Sequence, residues 1–337
     1  MFGNRKIRMS AFLLVAVIAF TFLGFSVAKP ADAEKSVVAG KNGGHYNILL
    51  LGHDNTSDLT DVVMIAAFDL TSESLSILQI PRDTYFAYTN ADYKKINGAT
   101  HALGSAANLA TALSEALAVK IDSYVEFDLA FVRDAVDFVG GVTIDIPCNM
   151  DYDDPAQNLH IHLKKGEQTL GGQDAVGFIR FRSGYLRADL GRVDAQKLFL
   201  AAFSHAFYRN VGAADIPAAA LLAIKHIKTD MRLDTMISLA VAMRSMKNEA
   251  ISVLTLPGEE VRSEYSGAWY YILSREGCLT AVNRYLAREG SVSGAAFDTQ
   301  RKFTDTARKN FREIYERKID AVPYTFDTLD KEGIGIQ

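Results

Sequence analysis

An uncharged run from Met9 to Ala28, preceded by Arg5, Lys6 and Arg8, constrains this chain more than any other feature. At a helical rise of about 1.5 Å per residue, its roughly 20 residues reach about 30 Å, the thickness of a bilayer core. The preceding cations predict a cytoplasmic N-terminus over 1–8, a transmembrane signal-anchor over 9–28 and everything later outside the cell membrane. Ala31-Asp32-Ala33 has the small-x-small form of a cleavage site, so a cleaved signal peptide competes with the anchor. The run is longer than the roughly 7–15 residues of a signal-peptide core, which favours the anchor. Residues 29–45 are polar, carry Gly43-Gly44 near their end, and read as a linker. A later apolar stretch, Ala218 to Ile227, is too short to span and contains Lys225 and His226.

Residues 46–320 contain no internal repeat and no Pro/Ser-rich seam, which predicts one extracellular domain. Residues 321–337 are polar and Gly-containing and are expected to form a flexible tail. Apolar runs at Tyr46–Leu51, Val62–Phe68 and Leu75–Ile80 read as strands, the last two joined by a tight turn. Val142–Ile146 and Ile251–Leu256 read as further strands. Helical spacing covers Asn97–Lys120, Asp128–Val139, Val193–Arg209, Ile216–Ile227, Leu233–Lys247, Leu279–Glu289 and Asp305–Lys318. Strands and helices without strict alternation predict an α/β fold, a sheet covered by helices. Several helices, such as A-F-S-H-A-F and A-A-A-L-L-A-I, have little polar face. Burial on two sides explains most of them; a cleft for a long hydrocarbon chain is the sharper alternative.

The two cysteines, Cys148 and Cys278, are too few for a disulfide framework, and their pairing is left open. No Cys/His spacing resembles a zinc site, and His160 and His162 in L-H-I-H-L share the polar face of a strand, with ligation the less common reason for such a pattern.

The charged residues are more telling. The chain has 36 Lys and Arg against 40 Asp and Glu, a formal charge of −4. Yet Arg180, Arg182, Arg187 and Arg192 crowd into F-I-R-F-R-S-G-Y-L-R-A-D-L-G-R. Planar, permanently charged guanidinium groups suit bidentate phosphate binding. Local positive charge on an acidic body points to a focused anion site and away from a nucleic-acid surface. Arg180 and Arg182, two apart, would share one side of an extended segment. Asp54 follows the first strand and Asp61 opens the second, where sites form in α/β folds. Two carboxylates beside a bridging phosphate suit Mg²⁺. Arg82, in I-P-R-D-T directly after a strand, adds a phosphate donor, while Asp83 reads as a turn residue.

Taken together, N-I-L-L-L-G-H-D (47–54), T-D-V-V-M (60–64), S-I-L-Q-I-P-R-D-T (76–84) and K-I-N-G-A (95–99) resemble the LytR-CpsA-Psr family of extracytoplasmic phosphotransferases. The resemblance continues through V-D-F-V-G-G-V-T-I-D-I-P (136–147), H-L-K-K-G-E-Q-T-L-G-G-Q-D-A-V-G-F-I-R-F-R (162–182) and G-R-V-D-A-Q-K (191–197). It implies a three-layer domain with a central mixed sheet. It also implies an enzyme that moves a glycopolymer, such as teichoic acid or capsule, from a polyprenyl-pyrophosphate lipid to peptidoglycan through a phosphodiester. Carried over residue by residue, it assigns Mg²⁺ to Asp54 and Asp61 and pyrophosphate binding to Arg82, Arg180, Arg182, Arg192 and Gln196. The reaction itself falls to Asp61, Arg82, Arg180 and Arg182. The family often has an arginine before its S-D pair; Leu59 and Thr60 stand there in this chain, and the loop from Asp54 to Asp61 is short. A hydrolase using the same pyrophosphate site, and a non-catalytic wall-binding or regulatory protein, are the alternatives.

Overall fold

Along β1 (His45–His53) the side chains alternate between two cores. Ile48 and Leu50 enter one apolar cluster, Leu49 and Leu51 the other. A strand buried on both faces has no polar side, which is why the sequence reads as a continuous apolar run. In the computed structural model the described residues are 44–53, 59–88, 94–232, 234–236, 238, 239, 242, 246–287, 292–300, 302–305 and 307–334. The expected anchor and most of the linker therefore lie outside the described residues, as does Asp54. Among the described residues no helix is long and apolar enough to cross a membrane.

β1 pairs antiparallel with β2 (Thr60–Asp69), and β2 antiparallel with β3 (Ser74–Gln79). On its other side β1 runs parallel to β4 (Ser123–Asp128). Two short hairpins follow: β5 (Val142–Ile146) pairs with β8 (Gly166–Leu170), and between them β6 (Met150–Asp154) pairs with β7 (Leu159–Leu163). β9 (Ile227–Thr229) adds antiparallel to β4, and β10 (Ile251–Thr255) lies parallel to β3. β11 (Gly258–Arg262) and β12 (Trp269–Leu273) form a further hairpin, and β13 (Tyr324–Thr325) closes the main sheet against β10. The seven-stranded sheet has the order β13-β10-β3-β2-β1-β4-β9. It is mixed, as expected.

The helices in chain order are α1 (Ala99–Leu103), α2 (Ala106–Leu117), α3 (Leu129–Phe138), α4 (Gly172–Arg180) and α5 (Ala188–Asn210). They continue with α6 (Ile216–His226), α7 (Arg275–Tyr285), α8 (Gly294–Gln300), α9 (Lys309–Glu316) and α10 (Phe326–Glu332). α3, α4 and α5 fill the core on one face of the sheet through Phe131, Phe178 and Phe203, while α2 and α7 cover the other through Leu109, Leu113 and Val282. This is the three-layer arrangement. Cys148 packs against the first core and Cys278 lies in the second, so the sheet separates them and both are free thiols.

Several expected elements differ in detail. The helix foreseen over 97–120 is interrupted at Gly104, whose φ of 85° is a left-handed value that glycine adopts without strain. Ser105 then caps α2 by accepting the Asn108 N–H. Of the helix foreseen over 233–247, residues 234–236, 238, 239 and 242 are helical, and the rest up to 245 lie outside the described residues. Two-sided burial holds for Phe203, Ala206 and Phe207 of α5, but α6 leaves Leu221 and Ile224 exposed. The segment expected as a flexible tail is instead built in. Tyr324 and Thr325 pair with β10, α10 buries Phe326 and Leu329 in the core, and a Thr325–Thr328 capping box starts the helix. The polar composition of 321–337 hid this because only one face of so short a helix need be apolar.

Candidate active site: an arginine cleft at one edge of the sheet

The sheet brings the candidate residues to one edge. β1 and β3 end there, and antiparallel β2 begins there, with His53 opposite Thr60. Asp61 is thus the second residue of β2, and its carboxylate accepts from Arg82 Nη1 at 2.5 Å. Arg82 sits in a turn fixed from several sides. Thr84 N–H donates to the Pro81 carbonyl, Asn97 N–H to the Arg82 carbonyl, and Tyr271 N–H to the Asp83 carbonyl. Asp83, read as a turn residue, pairs with Lys95 at 2.7 Å and locks the I-P-R-D-T turn to the K-I-N-G-A segment.

The other arginines arrive from α4 and α5. Arg180 is the last residue of α4, where a cation complements the helix dipole. Phe181 turns the chain extended (φ −62°, ψ 139°) and Arg182 follows. The two arginines therefore do not lie on one side of an extended segment, yet both line the same cleft. Arg192 is buried on the first turns of α5, and Gly191 beside it admits Tyr185 so closely that a Cβ at 191 would meet the Tyr185 Cβ at 2.4 Å.

Asp189 is the residue that sequence reasoning missed. Its carboxylate holds Arg192 through Nε at 3.2 Å and Nη2 at 3.1 Å. Arg82 Nε approaches it at 3.3 Å and Arg182 Nη1 at 3.8 Å. The helix expected over Val193–Arg209 begins five residues earlier, at Ala188, and only this extra turn gives Asp189 and Arg192 their i,i+3 spacing on one helix. Burial pushes the Asp189 carboxyl upward, but Arg192, Arg82 and Arg182 outweigh it and hold it below the usual carboxylate range. Arg182 shows the converse: burial, together with the charges of Arg82 and Arg192, lowers its affinity for its proton despite Asp189 nearby. A cation crowded by cations marks a place where an anion is wanted.

These groups line an open cleft of about 470 Å³ that also exposes Leu59, Tyr152, Gln157 and Ser183. Gln157, from the loop between β6 and β7, accepts a hydrogen bond from Arg180 Nη2 at 2.5 Å. Arg187 is turned away: it pairs with Asp194 at 3.6 Å and lines a separate pocket with Lys197 and Tyr324. Gln196, one turn beyond Arg192, lies among apolar side chains. It borders a small gap of about 40 Å³ lined by Leu50, Val62, Met64, Phe127, Phe199 and Leu200 between the sheet and α5. Of the expected site residues, Asp61, Arg82, Arg180, Arg182 and Arg192 thus line one cleft, Gln196 lies behind it, and Asp54 is outside the described residues.

The family model described as LytR_cpsA_psr matches residues 24–285. TagV of Bacillus subtilis (strain 168), a polyisoprenyl-teichoic acid–peptidoglycan teichoic acid transferase, is 27% identical over 235 residues, 67% of this chain and 60% of TagV. TagU of Bacillus cereus (strain AH820), a transferase of the same description, is 30% identical over 233 residues, 67% of this chain and 73% of TagU. Among solved structures, B. subtilis TagV superposes with a TM-score of 0.59 at 22% identity, over 77% of this chain and 96% of the other. TagT bound to LIIa-WTA superposes with a TM-score of 0.55 at 22% identity, over 76% and 96%. The match runs from the end of the apolar run to α7, and on it the chain is a member of the LytR-CpsA-Psr family.

Proposed function

We propose that this chain is a membrane-anchored phosphotransferase that moves a glycopolymer from a polyprenyl-pyrophosphate carrier to peptidoglycan. One observation carries the reading: Arg82, Arg182 and Arg192 converge on the single carboxylate of Asp189, with Arg180 at the rim of the same cleft. Among the described residues, four guanidinium groups line the cleft beside the Asp61 carboxylate, and three of them approach that of Asp189. That density of guanidinium groups suits a pyrophosphate. TagV and TagU, with the transferase activity their names carry, support the choice of donor and acceptor.

In this reading the arginines neutralise the pyrophosphate oxygens and hold the scissile bond in line with the acceptor. An acceptor hydroxyl oxygen attacks the phosphorus that bears the glycan. A new P–O bond forms, the bridging P–O bond of the pyrophosphate breaks, and polyprenyl phosphate leaves with the bond's electron pair. Phosphoryl transfer asks little more of a protein than such positioning and charge neutralisation. Asp61, within the cleft, takes the hydroxyl proton. Its carboxylate is also a hard oxygen donor of the kind Mg²⁺ prefers, and with Asp54 it would hold that ion. Bound there, Mg²⁺ would add charge neutralisation at the phosphates. The apolar side chains behind Gln196 would take the prenyl chain. A gap of about 40 Å³ is far too small for an isoprenoid, so binding the prenyl chain there would require the apolar lining to open.

The test is transfer from a lipid-linked donor by the full-length protein, with Mg²⁺, in the presence and absence of a peptidoglycan acceptor. Product on the acceptor supports the proposal. Polymer released to water at equal rate in both would make the chain a hydrolase. Failure to bind the lipid pyrophosphate at all would make it a wall-binding or regulatory protein.

A further inference from the structure

The hairpin of β6 and β7 carries two different faces. Its inner face sends Leu159 and Ile161 into the core and presents Tyr152 to the arginine cleft. Its outer face carries Asp151 and Asp153 on β6 opposite His162 and His160 on β7. In sequence the two histidines share a polar strand face, but only strand pairing reveals what stands across from them. Asp151 Oδ1 meets His162 Nδ1 at 2.7 Å, and Asp153 Oδ1 meets His160 Nδ1 at 2.5 Å. His162 Nε2 in turn faces Asp153 Oδ1 at 3.4 Å.

This arrangement has the logic of a metal centre. A carboxylate only accepts, so Asp151 holds a His162 proton on Nδ1, and a metal ion that displaces the proton from Nε2 would find that nitrogen facing Asp153. A carboxylate orienting one ring nitrogen while the other ligates is the usual support of metal-bound histidine. Donors around a tetrahedral zinc at about 2.0–2.1 Å sit about 3.3 Å apart. The Asp153–His162 separation of 3.4 Å matches that spacing. One donor atom from each of Asp153, His160 and His162 lies within 4.8 Å of the others, and all three residues are exposed and free to settle around an ion. We propose that Asp153, His160 and His162, oriented by Asp151, bind a divalent transition-metal ion of the zinc type.

The position gives such an ion a consequence. The loop joining the two strands is the one that delivers Gln157 to Arg180. Asp154 shapes it by accepting the Ala156 and Gln157 backbone N–H groups and the Gln157 side-chain amide. A metal clipping β6 to β7 directly beneath that loop stiffens one wall of the cleft. The site is built from neither of the aspartates proposed for Mg²⁺, and its softer nitrogen ligands select a different ion.

The experiment is calorimetric titration of the full-length, tag-free protein in detergent with ZnCl₂ alone, paired with hydrogen exchange over residues 154–158. We expect one zinc per chain, binding abolished by H162A and by D153N, and binding weakened about 10–100-fold by D151N, which removes only the orienting carboxylate. H45Q, at a histidine on β1 far along the chain, leaves it unchanged. Exchange of the 154–158 amides slows on adding zinc. No bound zinc would reduce the cluster to a ladder of imidazolium–carboxylate pairs and overturn the proposal, as would binding that survives H162A and D153N. Zinc binding without slower exchange would overturn the stiffening of the cleft wall. None of these readouts depends on transferase activity.

Discussion

Asp189 and Arg192 lie one turn apart on α5 and hold each other through two hydrogen bonds, at 3.2 and 3.1 Å, with almost no exposure to water. The pair lets a buried guanidinium exist at the sheet edge, and Arg82 and Arg182 gather around the same carboxylate.

Arg180→Ala and Arg182→Ala each remove a phosphate donor from the cleft rim while leaving the buried pair intact. Loss of one such preorganised group is expected to lower transfer by about 10²–10³-fold. Rates measured with a lipid-linked donor check this, with circular dichroism and melting temperature near wild type. Near-normal transfer by both variants would count against the site.

Asp189→Asn strips the negative centre from three arginines. Breaking a buried pair by removing one partner costs about 3–5 kcal/mol, and urea unfolding should report a loss of that size. Added pyrophosphate should recover part of it, because it supplies the missing negative charge. A variant as stable as wild type would mean that water, not Asp189, balances these arginines.

The pH dependence follows from the same group. The arginines hold the folded Asp189 carboxyl below its unfolded value. Its contribution to stability is therefore complete above the unfolded carboxylate value of about 3.9 and is lost as pH falls through the lower folded value. Wild type should lose stability more steeply than Asp189→Asn below about pH 4. Parallel denaturation profiles for the two proteins over that range would refute the assignment.

Leu200→Trp fills the gap behind Gln196. Overpacking there is expected to destabilise by about 1–3 kcal/mol. It should also remove lipid that co-purifies with the full-length protein, as read by mass spectrometry of an organic extract. Inorganic pyrophosphate, which needs only the arginines, should still bind. Unchanged lipid content would place the prenyl chain elsewhere.

Phe326→Ala probes the C-terminal segment. The ring is buried in the core, so its removal should cost about 3–5 kcal/mol, far beyond what a frayed tail could show. Truncation after Asp320 should be at least as severe by thermal unfolding.

Much of this molecule was legible because its strands are buried on both faces. Runs such as N-I-L-L-L and V-V-M-I-A-A-F have one structural solution, and the mixed sheet followed. The arginines were legible because their charge is out of place on an acidic chain. Asp189 was not: an aspartate within the first turn of a helix looks like a dipole partner, and only packing brings Arg82 and Arg182 to it. L-H-I-H-L was legible as a strand with a polar face, but D-Y-D-D was not read as its partner, and the meaning of both lies in the register that sets Asp151 against His162. The C-terminal segment was misread because pairing with β10, not local propensity, orders Tyr324 and Thr325.

The pairing of β3 with β10 joins residues such as Ser76 and Ser252, 176 positions apart. Until Ile251–Thr255 has been synthesised, the β3 edge beside the I-P-R-D-T turn is an open template of unpaired amides, and β13 must then cap β10 in turn. The arginine cleft thus belongs to a sheet that only the last part of the chain completes. Such non-local closure slows folding and leaves a sticky intermediate exposed in the meantime. A chain released or cut before residue 251 is born with its reactive edge unfinished, so loss of the C-terminus would deplete the protein through aggregation before any defect in chemistry could be seen.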